Sequence, residues 1–268
     1  MVMGGKRVFV SGVGGELGTT IAGGTLSYSN LGGLGSGPVA IAAGATASFT
    51  GANGNTTIPT VLTGAGTYQL VLAGAASNTY LTGDLAGFTG NIRVSGASSN
   101  KFNTTGFTGT GATVTVDDGN TIIVPATGAT FAGLTIVGAG NGENLGALRI
   151  VAGGTLNAPI TLGGATTFRQ EGGTIAGAIS AATNAPLTLS GTGNLTLTDT
   201  LVATSQNPAA IANITGTGTL DLGGSTTAAI NVAPIALAAD GSAKIGLPNL
   251  PHFAAKAKRV IFLTQSGG

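Results

Sequence analysis

Leu148-Arg149-Ile150, Gly153-Gly154-Thr155-Leu156, Ile160-Thr161-Leu162, Gly172-Gly173-Thr174-Ile175, Leu187-Thr188-Leu189 and Leu195-Thr196-Leu197 follow one another between Gly146 and Leu201. Apolar–polar–apolar triplets alternate with Gly, Asn and Pro, and nothing in the stretch has a helical period. In a strand successive side chains point to opposite faces, so Leu-Thr-Leu sends two leucines one way and the threonine the other. Each triplet is too short to make a sheet alone, and its hydrogen-bond partners must come from neighbouring copies. The pattern predicts an all-β chain of stacked short strands, a β-solenoid.

Outward from that stretch, two phrases recur. Gly-Thr-(Leu/Ile) stands at Gly24, Gly154, Gly173 and Gly218, and Gly-Ala-Thr at Gly44, Gly111, Gly128 and Gly164. Their intervals suggest about 17–20 residues per coil, a repeat size typical of stacked, quasi-one-dimensional folds. At ~20 residues per coil the chain would make about a dozen coils, a rod roughly 60 Å long. Further strands are expected at Val8-Phe9-Val10, Tyr68-Gln69-Leu70-Val71-Leu72, Asn91-Ile92-Arg93-Val94, Thr113-Val114-Thr115-Val116 and Thr121-Ile122-Ile123-Val124. After Ala233 the pattern breaks at Leu247-Pro248-Asn249-Leu250-Pro251, and charge concentrates at Lys256-Ala257-Lys258-Arg259. We therefore expect a solenoid over residues 1–235, with 236–268 forming a C-terminal cap or the start of a further coil.

Composition narrows the function. The 268 residues include 49 Gly but only 10 Lys and Arg and 9 Asp and Glu, 7% of the chain, and from Leu17 to Gly83 there is no charge at all. A mean hydropathy of +0.42 sets the chain apart from solvated disorder, which needs high net charge and few apolar residues. The uncharged runs are interrupted every few residues, and none offers the ~20 continuous apolar positions of a membrane helix. A membrane barrel is a weaker reading, since three Tyr and no Trp make no aromatic girdle. A net charge of +1 without a basic stripe leaves no footprint for nucleic acid. Met1 to Phe9 has Lys6 and Arg7 but no apolar run of signal-peptide type. The expectation is a mature fragment or internal piece of an exported protein.

Leu34-Gly35-Ser36-Gly37-Pro38-Val39-Ala40-Ile41-Ala42-Ala43-Gly44-Ala45-Thr46 resembles the autotransporter-associated β-strand repeat. Residues Leu85 to Val94 and Gly191 to Leu197 are similar fragments. The resemblance implies a right-handed parallel β-helix, exposed on or released from a bacterial surface.

Candidate chemistry is sparse. Asp117-Asp118 is the best acidic pair, because paired carboxylates suit general acid–base work on glycosidic bonds. Asp-Asp-Gly-Asn is also good turn chemistry, and adjacent strand residues face opposite sides, so the turn is the expected role. No His, Lys or Arg stands near the pair in sequence. Asp84, Glu143, Glu171, Asp199, Asp221 and Asp240 are isolated in sequence. His252, the single histidine, sits between Pro251 and Phe253 and is expected in a loop. With no Cys and one His, no transition-metal site is expected, and the nonapeptide calcium pattern is absent. Gly12-Val13-Gly14-Gly15-Glu16-Leu17-Gly18 mimics a dinucleotide fingerprint, but no amphipathic helix follows it. No cofactor is expected. Thr113-Val114-Thr115 and Thr196-Leu197-Thr198 resemble the threonine rows of ice-binding solenoids, yet Thr is simply a good strand-surface residue. Four Asn-x-Ser/Thr sequons, at Asn55, Asn103, Asn194 and Asn213, are expected by chance in so Thr-rich a chain.

The resulting expectation is a non-catalytic structural or adhesive β-solenoid segment of a bacterial exported or surface protein, acting as a rod or scaffold. Its partners would be other copies of itself, end to end or side by side, or surface glycans and proteins. Two alternatives stand beside it. One is a carbohydrate-binding or carbohydrate-active β-helix of tailspike type, and the other a self-assembling extracellular filament or sheath subunit.

Overall fold

The computed structural model describes residues 18–51, 55–181, 185, 187–193 and 195–199, and the strands Val2–Met3, Lys6–Arg7, Phe9–Ser11, Leu201–Ala203, Ile211–Ile214 and Leu220–Asp221. The expected cap at 236–268, with His252, lies outside the described residues. Among the described residues there is no α-helix, and one short 3₁₀ turn, Leu31–Leu34, is capped by Asn30. No helix there is long and apolar enough to cross a membrane.

The chain is a β-solenoid whose coils each turn past three sides. On the first side, Thr25–Tyr28, Thr46–Thr50, Thr67–Val71, Asn91–Ser95, Thr113–Val116, Gly133–Gly138, Ile160–Leu162, Ile179–Ala181 and Leu201–Ala203 pair in parallel, each one coil beyond the last. The second side stacks Thr56–Ile58, Asn78–Leu81, Lys101–Asn103, Ile122–Val124, Leu148–Ile150, Thr166–Gln170, Leu187–Gly191 and Ile211–Ile214. The long strand Ile160–Gln170 belongs to both, bending between them at Gly163-Gly164.

The third side is less regular. Thr19–Gly23, Val39–Ile41 and Leu62–Gly64 form one ladder, and Ala129–Thr130, Thr155–Asn157, Gly173–Ile175, Leu195–Leu197 and Leu220–Asp221 another. Between them Thr108 replaces a strand: its hydroxyl accepts from Leu85 N (2.9 Å) and donates to Gly83 O (3.1 Å). At the first coil, Phe9–Ser11 pairs antiparallel with Thr19–Gly23. A strand therefore follows the glycine-rich Gly12–Gly18 segment, where a dinucleotide site needs a helix; residues 12–17 themselves are not described.

Coils are longer than the phrase spacing suggests. On the first side they run from 19 residues (Ile160 to Ile179) to 26 (Leu134 to Ile160). Eight coil steps separate Thr25–Tyr28 from Leu201–Ala203, so the described ladder rises about 40 Å.

Alternation decides what each strand buries. Ala47, Tyr68, Ile92, Val114, Leu134, Ile160 and Ile179 form one inward file on the first side, all buried. Phe102, Ile122, Leu148, Phe168 and Leu189 form its counterpart on the second. Phe102, Phe107 and Phe131 meet edge to face, with centroids 6.0 and 5.4 Å apart, in the favoured aromatic geometry. Within the early coils the Tyr28 and Tyr68 hydroxyls share a 2.7 Å hydrogen bond. Burial raises the Tyr28 phenol to about 12 and pushes Tyr68 well above its ordinary value, so both stay neutral and the bond holds across the physiological range.

Candidate functional site

Outward residues of a solenoid strand should meet water, and on the second side three do not. Lys101, Thr121 and Ile123 alternate with the inward Phe102, Ile122 and Val124, yet they are 7%, 0% and 3% exposed. The extra residues of the 26-residue coil account for the burial of Lys101 and Thr121, both of which they hydrogen-bond. After Gly138 the chain leaves the first side, loops across residues 139–146, and returns to the second side at Leu148–Ile150. We refer to this excursion as the strap.

The strap is closed at its base and pinned at its apex. Gly140 and Gly146 form a bridge there, both at positive φ (+87° and +73°). The Thr121 hydroxyl lies between the two stems, donating to Gly146 O at 2.7 Å and accepting from Asn141 N at 3.0 Å. Asn144 turns the apex in the left-handed region at φ +58°, which Asn tolerates better than most residues.

Three functional groups converge under this turn. Glu143 Oε2 accepts from Lys101 Nζ at 2.5 Å and from Asn141 Nδ2 at 3.2 Å. The Asn141 carboxamide oxygen accepts from Glu143 N at 3.2 Å, and its nitrogen also donates to Ser99 O at 3.1 Å. Asn141 is 5% exposed and the Lys101 side chain 8%, whereas the Glu143 side chain keeps 30%. The hydrogen bond from Lys101 is the main cause holding the Glu143 carboxyl below its ordinary value; partial desolvation opposes it, and Asn141 with the Lys101 and Arg149 charges adds to it.

On the far side of the strap, Arg149 and Arg169 occupy the same register position in successive coils and share Glu171. Arg149 clasps both Glu171 oxygens at 3.1 Å, and Arg169 Nε reaches Oε1 at 3.3 Å. Arg169 Nη1 also donates to Asn144 O at 3.3 Å, anchoring the apex to the coil above. The strap thus joins coils on either side of its own.

The Asp117-Asp118 pair does form a turn, at the corner between Thr113–Val116 and Ile122–Val124. Asp118 Oδ1 accepts from Gly119 N, and the buried Asn120 amide donates to the carbonyls of both acids at 3.1 and 3.0 Å. No basic residue stands near the pair in sequence, but stacking brings one to it. Arg93, 24 residues earlier but one coil away, binds Asp117 at 2.9 Å. The two carboxylates are turned to different partners.

Of the remaining acids, Asp84 caps its own loop through Ala86 N, Glu143 and Glu171 join the strap, and Asp221 lies in the last described strand. Asp240 is outside the described residues. Thr115, Thr135, Thr161 and Ser180 stand in one register row on the first side. Their hydroxyls bond along the stack: Thr115 to Asn91 Oδ1 at 3.1 Å, and Thr161 with Ser180 at 3.4 Å. Among the described residues no group of three or more His, Cys, Asp or Glu is placed to hold a metal ion.

Sequence reading missed Lys101, Asn141 and the buried corner asparagines Asn100 and Asn120. A signal was available, because Asn100, Asn120 and Asn141 recur at coil-length spacing. Comparisons with protein-family models, curated proteins and solved structures find no match to this chain.

Proposed function

We propose that this chain is a non-catalytic structural or adhesive segment of a bacterial exported surface protein, working as a rod or scaffold. One observation carries the reading: eight coil steps hold a single ladder, and its polar side chains are spent on one another along the stack. Arg93 neutralises Asp117, Lys101 Nζ binds Glu143, and two arginines enclose Glu171. Such a surface suits display and spacing, since catalysis needs groups free to exchange protons with a substrate.

The test has three arms. Antibodies against the purified chain should label intact cells of the source bacterium. A panel of plant, bacterial and host glycans should show no turnover, and electron microscopy should show single short rods. Turnover abolished by Asp117→Asn would support the tailspike-like enzyme, and regular fibres the filament subunit. Labelling seen only after permeabilisation overturns the surface role.

A further inference from the structure

The strap cluster is more than an ion pair. A buried primary amine (Lys101), a carboxamide (Asn141) and a carboxylate (Glu143) meet at one oxygen atom, from positions 42 residues apart in sequence. We propose that Lys101 and Asn141 join in an intramolecular isopeptide bond, formed by the protein itself with Glu143 as proton carrier.

Each group has a defined part. An ammonium is no nucleophile, but Glu143 Oε2 at 2.5 Å can take its proton, leaving a neutral amine and a neutral carboxylic acid. The amine lone pair adds to Asn141 Cγ, and the carbonyl π pair moves onto oxygen. That oxygen already accepts from Glu143 N at 3.2 Å, a backbone donor aimed where negative charge develops. Asn141 Nδ2, the leaving nitrogen, lies 3.2 Å from the same Oε2 and takes the proton from it. The Cγ–Nδ2 bond breaks, ammonia leaves, and the carbonyl reforms as a Lys–Asn amide. The second amine proton passes to Glu143 and on to ammonia, restoring the carboxylate. No oxidant, metal or cofactor enters the balance.

The surroundings favour the step. With Lys101 and Asn141 almost fully buried, little water competes at the two groups that join, and desolvation of the ammonium lowers the cost of taking its proton, while Glu143, 30% exposed, is the solvent-facing member. Strap and strand hold the reactants in place, which replaces a bimolecular encounter. A chain without cysteine would gain a covalent staple by other chemistry.

Intact-mass measurement of the purified full chain is the test. We expect a species about 17 Da lighter than the sequence mass, one ammonia, and, after cleavage before Asp117 and Asp118, a digest in which the peptide bearing Lys101 and the peptide bearing Asn141 travel as one. Asn141-Gly142 can also lose ammonia by closing a succinimide, but that ring links no peptides and survives Lys101→Arg, whereas the cross-link does not. Glu143→Gln should fold, keep the hydrogen bonds and lose the linked peptide. An unchanged mass, a loss of about 18 Da placing the amide on Glu143, or a loss of about 17 Da without linked peptides would each overturn the proposal.

Discussion

Gly140 and Gly146 pass so close at the base of the strap that a Cβ on Gly140 would lie 2.2 Å from the Gly146 carbonyl carbon and oxygen. Both neighbours are backbone, so nothing flexible can yield. Gly140→Ala should therefore spread the strap while leaving the ladder intact. The positive φ adds about 1–2 kcal/mol of strain for any side chain there. Hydrogen exchange should speed at residues 139–146 and stay slow at Ile122–Val124; unchanged protection of the strap would contradict its closed base.

Asn120 is 1% exposed and its side chain makes three hydrogen bonds, two to its own turn and one from Ala97 N, in the coil before, at 3.2 Å. Asn120→Ala leaves those groups unpaired in a buried corner. At about 1 kcal/mol per bond the loss should approach ~3 kcal/mol in denaturant unfolding. A loss under about 1 kcal/mol would mean water replaces the amide there.

Gln170 stands between Ile150 and Gly191 on the second side, 5% exposed, and its Oε1 is buried without a hydrogen-bond partner. Such an acceptor costs ~1–3 kcal/mol. Gln170→Met keeps the length and removes the orphan oxygen, so it should raise stability by about 1 kcal/mol. Destabilisation instead would show that the amide nitrogen contributes more than the oxygen costs.

Acid should open the strap only where no amide bond holds it. In Asn141→Ala the Lys101–Glu143 pair remains, and Lys101 still holds the Glu143 carboxyl below its ordinary value of 4.5. A depressed carboxyl stabilises the fold above its unfolded value, and that stabilisation fades as pH falls through the folded one. The protection of residues 139–146 against hydrogen exchange, taken relative to the intrinsic rate at each pH, should therefore fall in this variant below about pH 4.5, while the parent chain keeps it. Acid opening in both, at the same pH, would mean the covalent link is not there to resist it.

The strands were legible in sequence because Leu-Thr-Leu and Thr-Val-Thr-Val carry a period of two that no helix reproduces. Their phase was not. Gly-Ala-Thr at Gly44 and Gly111 leads into the first side, but at Gly128 it enters the third and at Gly164 the second. The phrase marks a corner without saying which, so intervals between copies mixed corners and shortened the inferred coil. The strap was illegible for another reason. Residues 139–146 read as one more Gly- and Asn-rich turn, and nothing local to Lys101 shows that its partner lies 42 residues on. Burial of a lysine is a tertiary fact, decided by what folds over it.

The coil from Leu134 to Ile160 carries seven more residues than the one from Ile160 to Ile179, yet Leu134, Thr135 and Ile136 stay in step with Ile160, Thr161 and Leu162, the register slipping only beyond them at Gly138. Corners therefore act as slack in which new segments can be trialled. A lineage could lengthen such a bend, fasten it with one lysine and one glutamate, and acquire a new outer surface without disturbing the spine beneath.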